Sequence, residues 1–247
     1  MTTWIKAQIV GKRHWTTHLL SLQFEADISP FTAGQFIRCG MDIDGERVAR
    51  PYSLINAPGT HTHEIYFNIV ENGLLTPHLA TLNIGDEFWV YDACNGFLTL
   101  DELPIASNLW MLSTGTGIGP FIAILKTEQI WQQFKQVVLV HAVSYADELT
   151  YHELIDDTQR QHPTTFHYVP FVSREEIAET IHGRIPDAIQ NSALESTTGL
   201  PLHPENSHVM LCGNAGMIKD ASELLEQRGM SRHRRSAPGH ITIEKYY

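Results

Sequence analysis

The chain has 247 residues, of which 43 % are hydrophobic and 18 % are charged, so it is neither intrinsically disordered nor too small for two modest domains. Its formal net charge of −11 argues against binding to a nucleic acid backbone, and we expect no nucleic acid partner. The amino terminus alternates like a strand and lacks a secretory signal, and no stretch approaches the roughly 20 apolar residues that cross a bilayer. We therefore expect a cytoplasmic protein without membrane insertion.

Residues that commonly bind metals are present but scattered. The three cysteines, Cys39, Cys94 and Cys212, are odd in number and too few for a four-thiolate cluster. The 14 histidines form neither an HExxH motif nor a Cys/His ladder, and His61 and His63 fall in an expected hairpin loop. We predict no metal, and thiols that stay reduced.

The first hundred residues contain short segments with a period of two, separated by turn residues. Six such strands at this spacing favour an antiparallel barrel or a sandwich. The segments are WIKAQIV (4–10), HLLSLQFE (18–25), QFIRCG (35–40), VARPYSLI (48–55), EIYFNIV (64–70) and DEFWVYD (86–92).

From residue 108 the pattern changes to continuous apolar strands that alternate with helical segments, which is typical of a parallel α/β sheet. The predicted strands are LWMLS, VVLVHAV, FHYVPFVS and HVMLC, and the predicted helices are FIAILKTEQIWQQF, YHELIDDTQRQ and MIKDASELLEQR. We place the domain boundary so that residues 1–101 form the barrel and residues 102–247 the α/β domain. Residues 190–206 are interpreted as a polar surface insertion.

Three segments have the chemistry to hold a nucleotide. In LWMLSTGTGIGP (109–120) glycines separate a strand from a helix, where amides cradle phosphate, although the glycines could serve only the geometry of the turn. In RPYS (50–53) a fixed cation precedes an aromatic ring and a hydroxyl, although a surface arginine and a cross-strand tyrosine would give the same letters. In NGLLTPHL (72–79) Thr76 is predicted to cap a helix with Pro77 in its first turn, which is also the pattern of an ordinary capped helix.

Together with the aromatic carboxyl terminus, these segments resemble the ferredoxin (or flavodoxin)–NADP reductases of the bacterial type. The similarity runs nearly end to end. The segments that show the similarity are FTAGQF (31–36), IDGERVARPYS (43–53), LWMLSTGTGIGP (109–120), VSRE (172–175), GRIP (183–186), SHVMLCGN (207–214) and PGHITIEKYY (238–247).

The resemblance implies a FAD-binding barrel followed by an NADP-binding domain. Arg50 would neutralise the FAD pyrophosphate, the Pro51-Tyr52 step would place Tyr52 on one flavin face, and Ser53 would hydrogen-bond near N5. The other implied cofactor contacts are Tyr66, Phe67, Asn68, Ile69, Leu74, Leu75, Thr76 and Thr116, with Tyr246 over the second flavin face and Tyr247 towards the adenine, where the family often has Trp. Ser53, Cys212, Glu244 and Tyr246 would form the catalytic group, Cys212 being otherwise an ordinary core cysteine.

On the nucleotide side, the resemblance implies that Ser173, Arg174 and Arg184 hold the 2′-phosphate, and two guanidiniums suit a dianion that NAD lacks. Val143, Ser144 and Asn214 complete the implied NADP site. Relatives carry arginine at the position of Ser144 and proline at that of Ala215, so the preference for NADPH over NADH is expected to be weaker here. A surface ion pair would also explain Arg174, and a solvated loop Arg184.

The implied activity is hydride transfer from NADPH to FAD, followed by single-electron steps to flavodoxin or ferredoxin. Because such carriers are acidic, the cluster formed by Arg232, Arg234 and Arg235, with Arg228 nearby, is a candidate docking patch. A solvated helix end is the alternative. A free-flavin or ferric-chelate reductase, and a non-catalytic flavoprotein acting as redox sensor or electron-transfer subunit, remain open. Nothing in the sequence requires more than a monomer.

Overall fold

The computed structural model describes residues 2–246 and contains two six-stranded sheets that follow one another along the chain. The first sheet is antiparallel, with strand order β4-β3-β6-β1-β2-β5. Its strands are β1 (Trp4–His14), β2 (Leu19–Glu25), β3 (Phe36–Ile43), β4 (Glu46–Ser53), β5 (Thr62–Asn68) and β6 (Glu87–Tyr91). All six predicted strands are confirmed.

The first sheet closes into a barrel at the end of β4. Leu54 forms an antiparallel bridge with Ile65, and the Ile55 amide donates to the Glu64 carbonyl at 2.9 Å. Alternate side chains fill the interior, where the rings of Phe24 and Phe88 meet edge to face at 5.2 Å. The structure therefore selects the barrel over the sandwich.

The helix α1 (Thr76–Thr81) packs on the barrel core through Leu79, but its capping differs from the prediction. Leu75 occupies the N-cap position and makes no side-chain cap bond. Thr76 lies one residue inside the helix, and its Oγ1 instead accepts from the Val70 amide at 2.9 Å. The capping role predicted for Thr76 is wrong, because its hydroxyl bonds to the loop before the helix and not to the amides of the first helical turn.

The second sheet is parallel, with strand order β10-β9-β8-β7-β11-β12. Its strands are β7 (Asn108–Thr114), β8 (Gln136–Val143), β9 (Phe166–Val172), β10 (Ile181–His182), β11 (Ser207–Asn214) and β12 (Ile241–Tyr246). The strand order reverses between β7 and β11. In sheets of this kind, ligands bind in the crevice at the reversal point, beyond the carboxyl ends of the strands. The predicted α/β class is confirmed.

Helices cover both faces of this sheet, which explains its continuous apolar strands. Leu109 and Met111 of β7 pack on one face, whereas Trp110 and Leu112 pack on the other. The helices are α2 (Gly119–Leu125), α3 (Gln129–Gln133), α4 (His152–Gln161), α5 (Ile185–Gln190), α6 (Ala193–Thr198) and α7 (Ala215–Gln227). The longest has 13 residues, and none within residues 2–246 is long and apolar enough to cross a membrane.

Two segments differ from their sequence interpretation. The single helix predicted over 121–134 is two helices, because the chain turns at Thr127, whose amide and hydroxyl both bond to the Ile124 carbonyl. Residues 190–206, interpreted as a polar surface insertion, are mostly exposed or half-buried, but they contain α6 and bury Leu194 and Leu202 in the apolar cluster on one face of the sheet. Their polar composition reflects only the outward face of that layer.

Candidate functional site

The barrel and the parallel sheet meet where β4 ends beside β12. The Ser53 hydroxyl of the barrel lies 2.6 Å from the Tyr246 hydroxyl and 3.5 Å from a Glu244 carboxylate oxygen. In the parallel pairing of β11 with β12, Cys212 is the register partner of Glu244. The structure thus brings the four predicted catalytic residues together at the reversal point of the sheet.

These groups are largely withdrawn from water, which favours their neutral forms. Burial raises the pKa of Glu244 to about 7, although the hydrogen bond from Ser53 opposes the shift. Burial and the nearby Glu244 raise the pKa of the Cys212 thiol well above its ordinary value. Tyr246 likewise has a raised pKa, from burial and then from Cys212 and Glu244. Only Glu244 can therefore exchange a proton near neutral pH.

A glycine-rich turn carries the chain from β7 into this site. A side chain at Gly117 would place its Cβ 2.5 Å from the Cys212 carbonyl oxygen, and one at Gly119 would meet Ile55 of the barrel at 2.8 Å. These two glycines serve close packing. Gly115 differs, because it has a φ of +52° and open space where a Cβ would lie. Thr116, the predicted flavin contact, is half-buried in the same turn.

Among the described residues, the barrel has an arginine without an ion-pair partner and a set of main-chain amides without hydrogen-bond acceptors. The exposed Arg50 guanidinium donates to the Ala49 carbonyl at 2.8 Å and forms no ion pair within residues 2–246. In the same part of the chain, the amides of Leu74, Leu75 and Thr76 have no acceptor. A free guanidinium and free amides on one barrel are the chemistry that binds a pyrophosphate, so these residues fit such a group.

The other predicted barrel contacts are placed unequally. Tyr52 is half-buried, follows the exposed Pro51, and packs against Phe67 with ring centroids 5.7 Å apart. Tyr66 faces the second domain instead, where it is 4 % exposed and its hydroxyl accepts from Thr150. Any cofactor contact of Tyr66 must therefore use its main chain, as must any contact of the buried Leu75. Asn68 is exposed and Ile69 half-buried at the end of β5.

The predicted nucleotide residues lie at neighbouring strand ends. Val172 of β9 pairs with His182 of β10, so Arg174 and Arg184 each stand two residues beyond a paired position. Both arginines are exposed, and the Arg174 guanidinium donates to the Tyr145 hydroxyl at 3.2 Å.

Main-chain bonds join these strand ends into one loop cluster. The Ser173 hydroxyl donates to the Val143 carbonyl at 3.2 Å, and the Arg174 amide donates to the Ser144 carbonyl at 3.0 Å. Asn214 caps α7, since its Oδ1 accepts from the amides of residues 216 and 217. Because these two bonds engage Oδ1, the side-chain nitrogen Nδ2 of Asn214 is the atom left to contact a nucleotide.

Sequence reasoning missed the polar contacts between the two domains. His18 of the barrel lies 3.0 Å from a Glu148 carboxylate oxygen, and Tyr151 donates to Glu64 at 2.7 Å. Lys126 donates to the Ile55 carbonyl at 2.9 Å. The partners are 71 to 130 positions apart, and no local pattern pairs them.

The arginine cluster near the carboxyl terminus is partly committed to internal contacts. Arg228 bonds to Glu195 at 2.9 Å, and Arg235 pairs with Glu102 and lies over the Phe97 ring. Arg232 and Arg234 are exposed and form no ion pair within the described chain. Tyr247, predicted to stack towards an adenine, lies outside the described residues.

Comparisons with known proteins agree with this arrangement. Residues 8–92 match the model of the oxidoreductase FAD-binding domain, and residues 111–223 match that of the oxidoreductase NAD-binding domain. The barrel, the parallel sheet and the seam between them therefore define a two-domain oxidoreductase. Among residues 2–246 no group of three or more His, Cys, Asp or Glu side chains could hold a metal ion.

Full-length relatives narrow the class. The chain is 45 % identical to a flavodoxin/ferredoxin–NADP reductase of Escherichia coli K12 over 100 % of both chains. It is 32 % identical to a ferredoxin–NADP reductase of Azotobacter vinelandii, over 97 % of this chain and 96 % of that one. A crystal structure of a ferredoxin–NADP⁺ reductase from Neisseria gonorrhoeae with bound FAD and NADP superposes with a TM-score of 0.93 at 30 % identity, covering 99 % of each chain. The chain belongs to the flavodoxin/ferredoxin–NADP reductase family.

Proposed function

We propose that the protein is a FAD-dependent oxidoreductase that moves electrons between NADPH and a one-electron carrier, flavodoxin or ferredoxin. One observation carries the proposal: Ser53 of the barrel and Tyr246 of the parallel sheet meet at 2.6 Å, with Glu244 and Cys212 beside them. FAD, when bound, supplies the chemistry that accepts a hydride and releases its two electrons singly.

The barrel residues hold the cofactor. Arg50 binds the pyrophosphate together with the free amides of residues 74–76, because a guanidinium and unpaired N–H groups both complement phosphate oxygens. Tyr52 and Tyr246 provide aromatic surfaces for the two faces of the isoalloxazine ring. Thr116 reaches the ring from the second domain, and the Ser53 hydroxyl is the hydrogen-bonding group nearest the reacting edge.

The parallel sheet supplies an environment suited to nicotinamide. Tyr246 and Cys212 keep their protons at neutral pH, since burial raises the pKa of both groups. A neutral thiol and phenol exclude water without placing a negative charge beside the ring that gives up hydride. Tyr246 must move aside for the nicotinamide to reach the same face of the flavin ring.

Nucleotide choice rests on the strand-end loops. We assign the 2′-phosphate to Ser173, Arg174 and Arg184, with Val143, Ser144 and Asn214 lining the rest of the nucleotide site. Ser144 contributes a hydroxyl where relatives carry a cation, so the preference for NADPH comes from two guanidiniums instead of three.

We assign carrier docking to Arg232 and Arg234, whose guanidiniums are free to meet an acidic surface. Arg235 is less available because it is paired with Glu102. A local basic patch steers an acidic carrier even when the net charge is negative. We also propose that the protein acts in the cytoplasm, as the odd number of cysteines suits a reducing compartment.

An anaerobic titration of the purified protein tests the proposal. We expect NADPH to bleach bound flavin absorbance rapidly and NADH to do so more slowly, and subsequent addition of flavodoxin to restore the absorbance. Restoration by free flavin or a ferric chelate but not by flavodoxin would favour a reductase with a diffusible acceptor. Absence of bleaching would exclude hydride transfer and leave a binding or sensing flavoprotein.

A further inference from the structure

A single carboxylate connects the barrel to the loop assigned to the 2′-phosphate. Glu148 Oε2 accepts from the Ser144 amide at 2.9 Å and from the Tyr145 amide at 3.1 Å. Its other oxygen, Oε1, lies 3.0 Å from His18 Nε2, on the barrel side of the domain interface. Both carboxylate oxygens are therefore engaged, and the side chain is only 16 % exposed.

The two amides held by Glu148 belong to the residues that hold Arg174. The Ser144 carbonyl accepts from the Arg174 amide at 3.0 Å, and the Tyr145 hydroxyl accepts from the Arg174 guanidinium at 3.2 Å. That guanidinium also lies 5.5 Å from the centroid of the Tyr145 ring. The position of Arg174 thus depends on the two residues whose backbone Glu148 fixes.

A carboxylate beside a site for a phosphate dianion needs an explanation, because like charges repel. Here the negative charge is satisfied by two N–H donors and a histidine ring, and the pKa of Glu148 lies below its ordinary value because these bonds outweigh the effect of burial. The surrounding groups are Arg174 after β9, His141 on β8 and Tyr66 on β5, in addition to His18. With both oxygens engaged, the carboxylate is available to order the loop and not to meet the phosphate.

We propose that Glu148 is a positioning residue for nucleotide selection: by holding the Ser144 and Tyr145 amides, it places Arg174 where a 2′-phosphate binds. The proposal rests on the proposed function, and it deepens that function by naming a determinant of the choice between NADPH and NADH. The same carboxylate also connects the loop to His18 of the barrel.

Calorimetric titration of the FAD-loaded protein with NADP⁺ and with NAD⁺ tests the proposal without relying on turnover. In Glu148→Ala we expect the Kd for NADP⁺ to rise about tenfold, the scale of losing charge-assisted bonds that order a binding loop, and the Kd for NAD⁺ to change less than about threefold. Glu148→Gln keeps an oxygen for the amides and a nitrogen for His18, so it should restore most of the affinity.

Asp147→Ala is the matched control, since it removes the same charge from the same turn. Asp147 is exposed and makes no hydrogen bond within the described residues, so its variant should bind both nucleotides like the unmodified protein. Equal weakening of both nucleotides in Glu148→Ala, failure of Glu148→Gln to restore affinity, or an equal loss in Asp147→Ala would each overturn the proposal.

The outcome for the unmodified protein separates this inference from the proposed function. If the unmodified protein binds NADP⁺ and NAD⁺ equally, the assigned preference for NADPH is wrong, and Glu148 cannot be a determinant of nucleotide selection. If the preference is present and persists undiminished in Glu148→Ala, only the positioning role is wrong.

Discussion

The buried carboxyl of Glu244 makes a quantitative prediction about stability and pH. Its pKa is raised from 4.5 to about 7, chiefly by burial, and the hydrogen bond that it accepts from Ser53 is long at 3.5 Å. The unfolded chain releases this proton near pH 4.5, whereas the folded chain holds it until about pH 7. Between these values the folded state binds more protons, so folding stability falls as the pH rises.

The magnitude follows from the two pKa values. At pH 8 the ionised carboxylate costs the fold about 3 kcal/mol, and at pH 5 the cost is about 1 kcal/mol. Glu244→Gln has the same shape without the charge and escapes this cost. We expect its stability advantage over the unmodified protein to grow by about 2 kcal/mol between pH 5 and pH 8.

Urea unfolding followed by tryptophan fluorescence at pH 5, 6, 7 and 8 measures this difference. Glu176→Gln is the control, because Glu176 is exposed and makes no ion pair or hydrogen bond within the described residues. Its difference from the unmodified protein should stay constant with pH. A constant difference for Glu244→Gln, or one that shrinks towards pH 8, would refute the reasoning.

Four further variants test other parts of the structure. Leu194→Ala should destabilise the protein by about 2–5 kcal/mol in urea unfolding, because it leaves a cavity under α6. An effect near zero would mean that Leu194 is not packed in the core. Tyr151→Phe removes a hydrogen bond to a barrel carboxylate and should cost about 1.5–3 kcal/mol by the same assay, whereas unchanged stability would mean that this contact is dispensable. Replacing Arg232 and Arg234 with Ala should slow flavodoxin reduction severalfold at low salt and little at high salt, as stopped-flow traces would report, while Arg235→Ala has a smaller effect; a rate that does not depend on salt contradicts the docking assignment.

The sequence predicts the elements of this fold well because each domain has its own hydrophobic period. Strands such as Leu19–Glu25 line a barrel interior, and strands such as Asn108–Thr114 are buried on both faces. What it could not predict is closure of the barrel, which depends on a bridge between Leu54 and Ile65 outside the regular ladder of β4. The burial of Leu194 is missed for a similar reason, since one buried leucine in a short helix leaves no periodic signal.

In the candidate site, too, some contacts can be predicted from the sequence and others cannot. Arg174 and Arg184 each stand two residues beyond a paired position of β9 and β10, as parallel strands that end at one edge of a sheet require. The pairing of Cys212 with Glu244 is implied only by the family resemblance, since the sequence pattern predicts no strand over residues 241–246. Contacts across the domain interface follow no such rule. The pairs formed by His18 with Glu148 and by Tyr151 with Glu64 join residues 130 and 87 positions apart, and neither pair belongs to a repeating element.

Those interface contacts decide how rigid the site is. Leu19, Tyr66 and Leu98 lie in the same apolar cluster as Met111 and side chains of α2, so the barrel and the parallel sheet share one core. A shared core resists the hinge motion expected of two domains joined only by a linker. This packing holds Ser53 close to Tyr246, and polar groups that are fixed in place need little reorganisation during a transfer reaction.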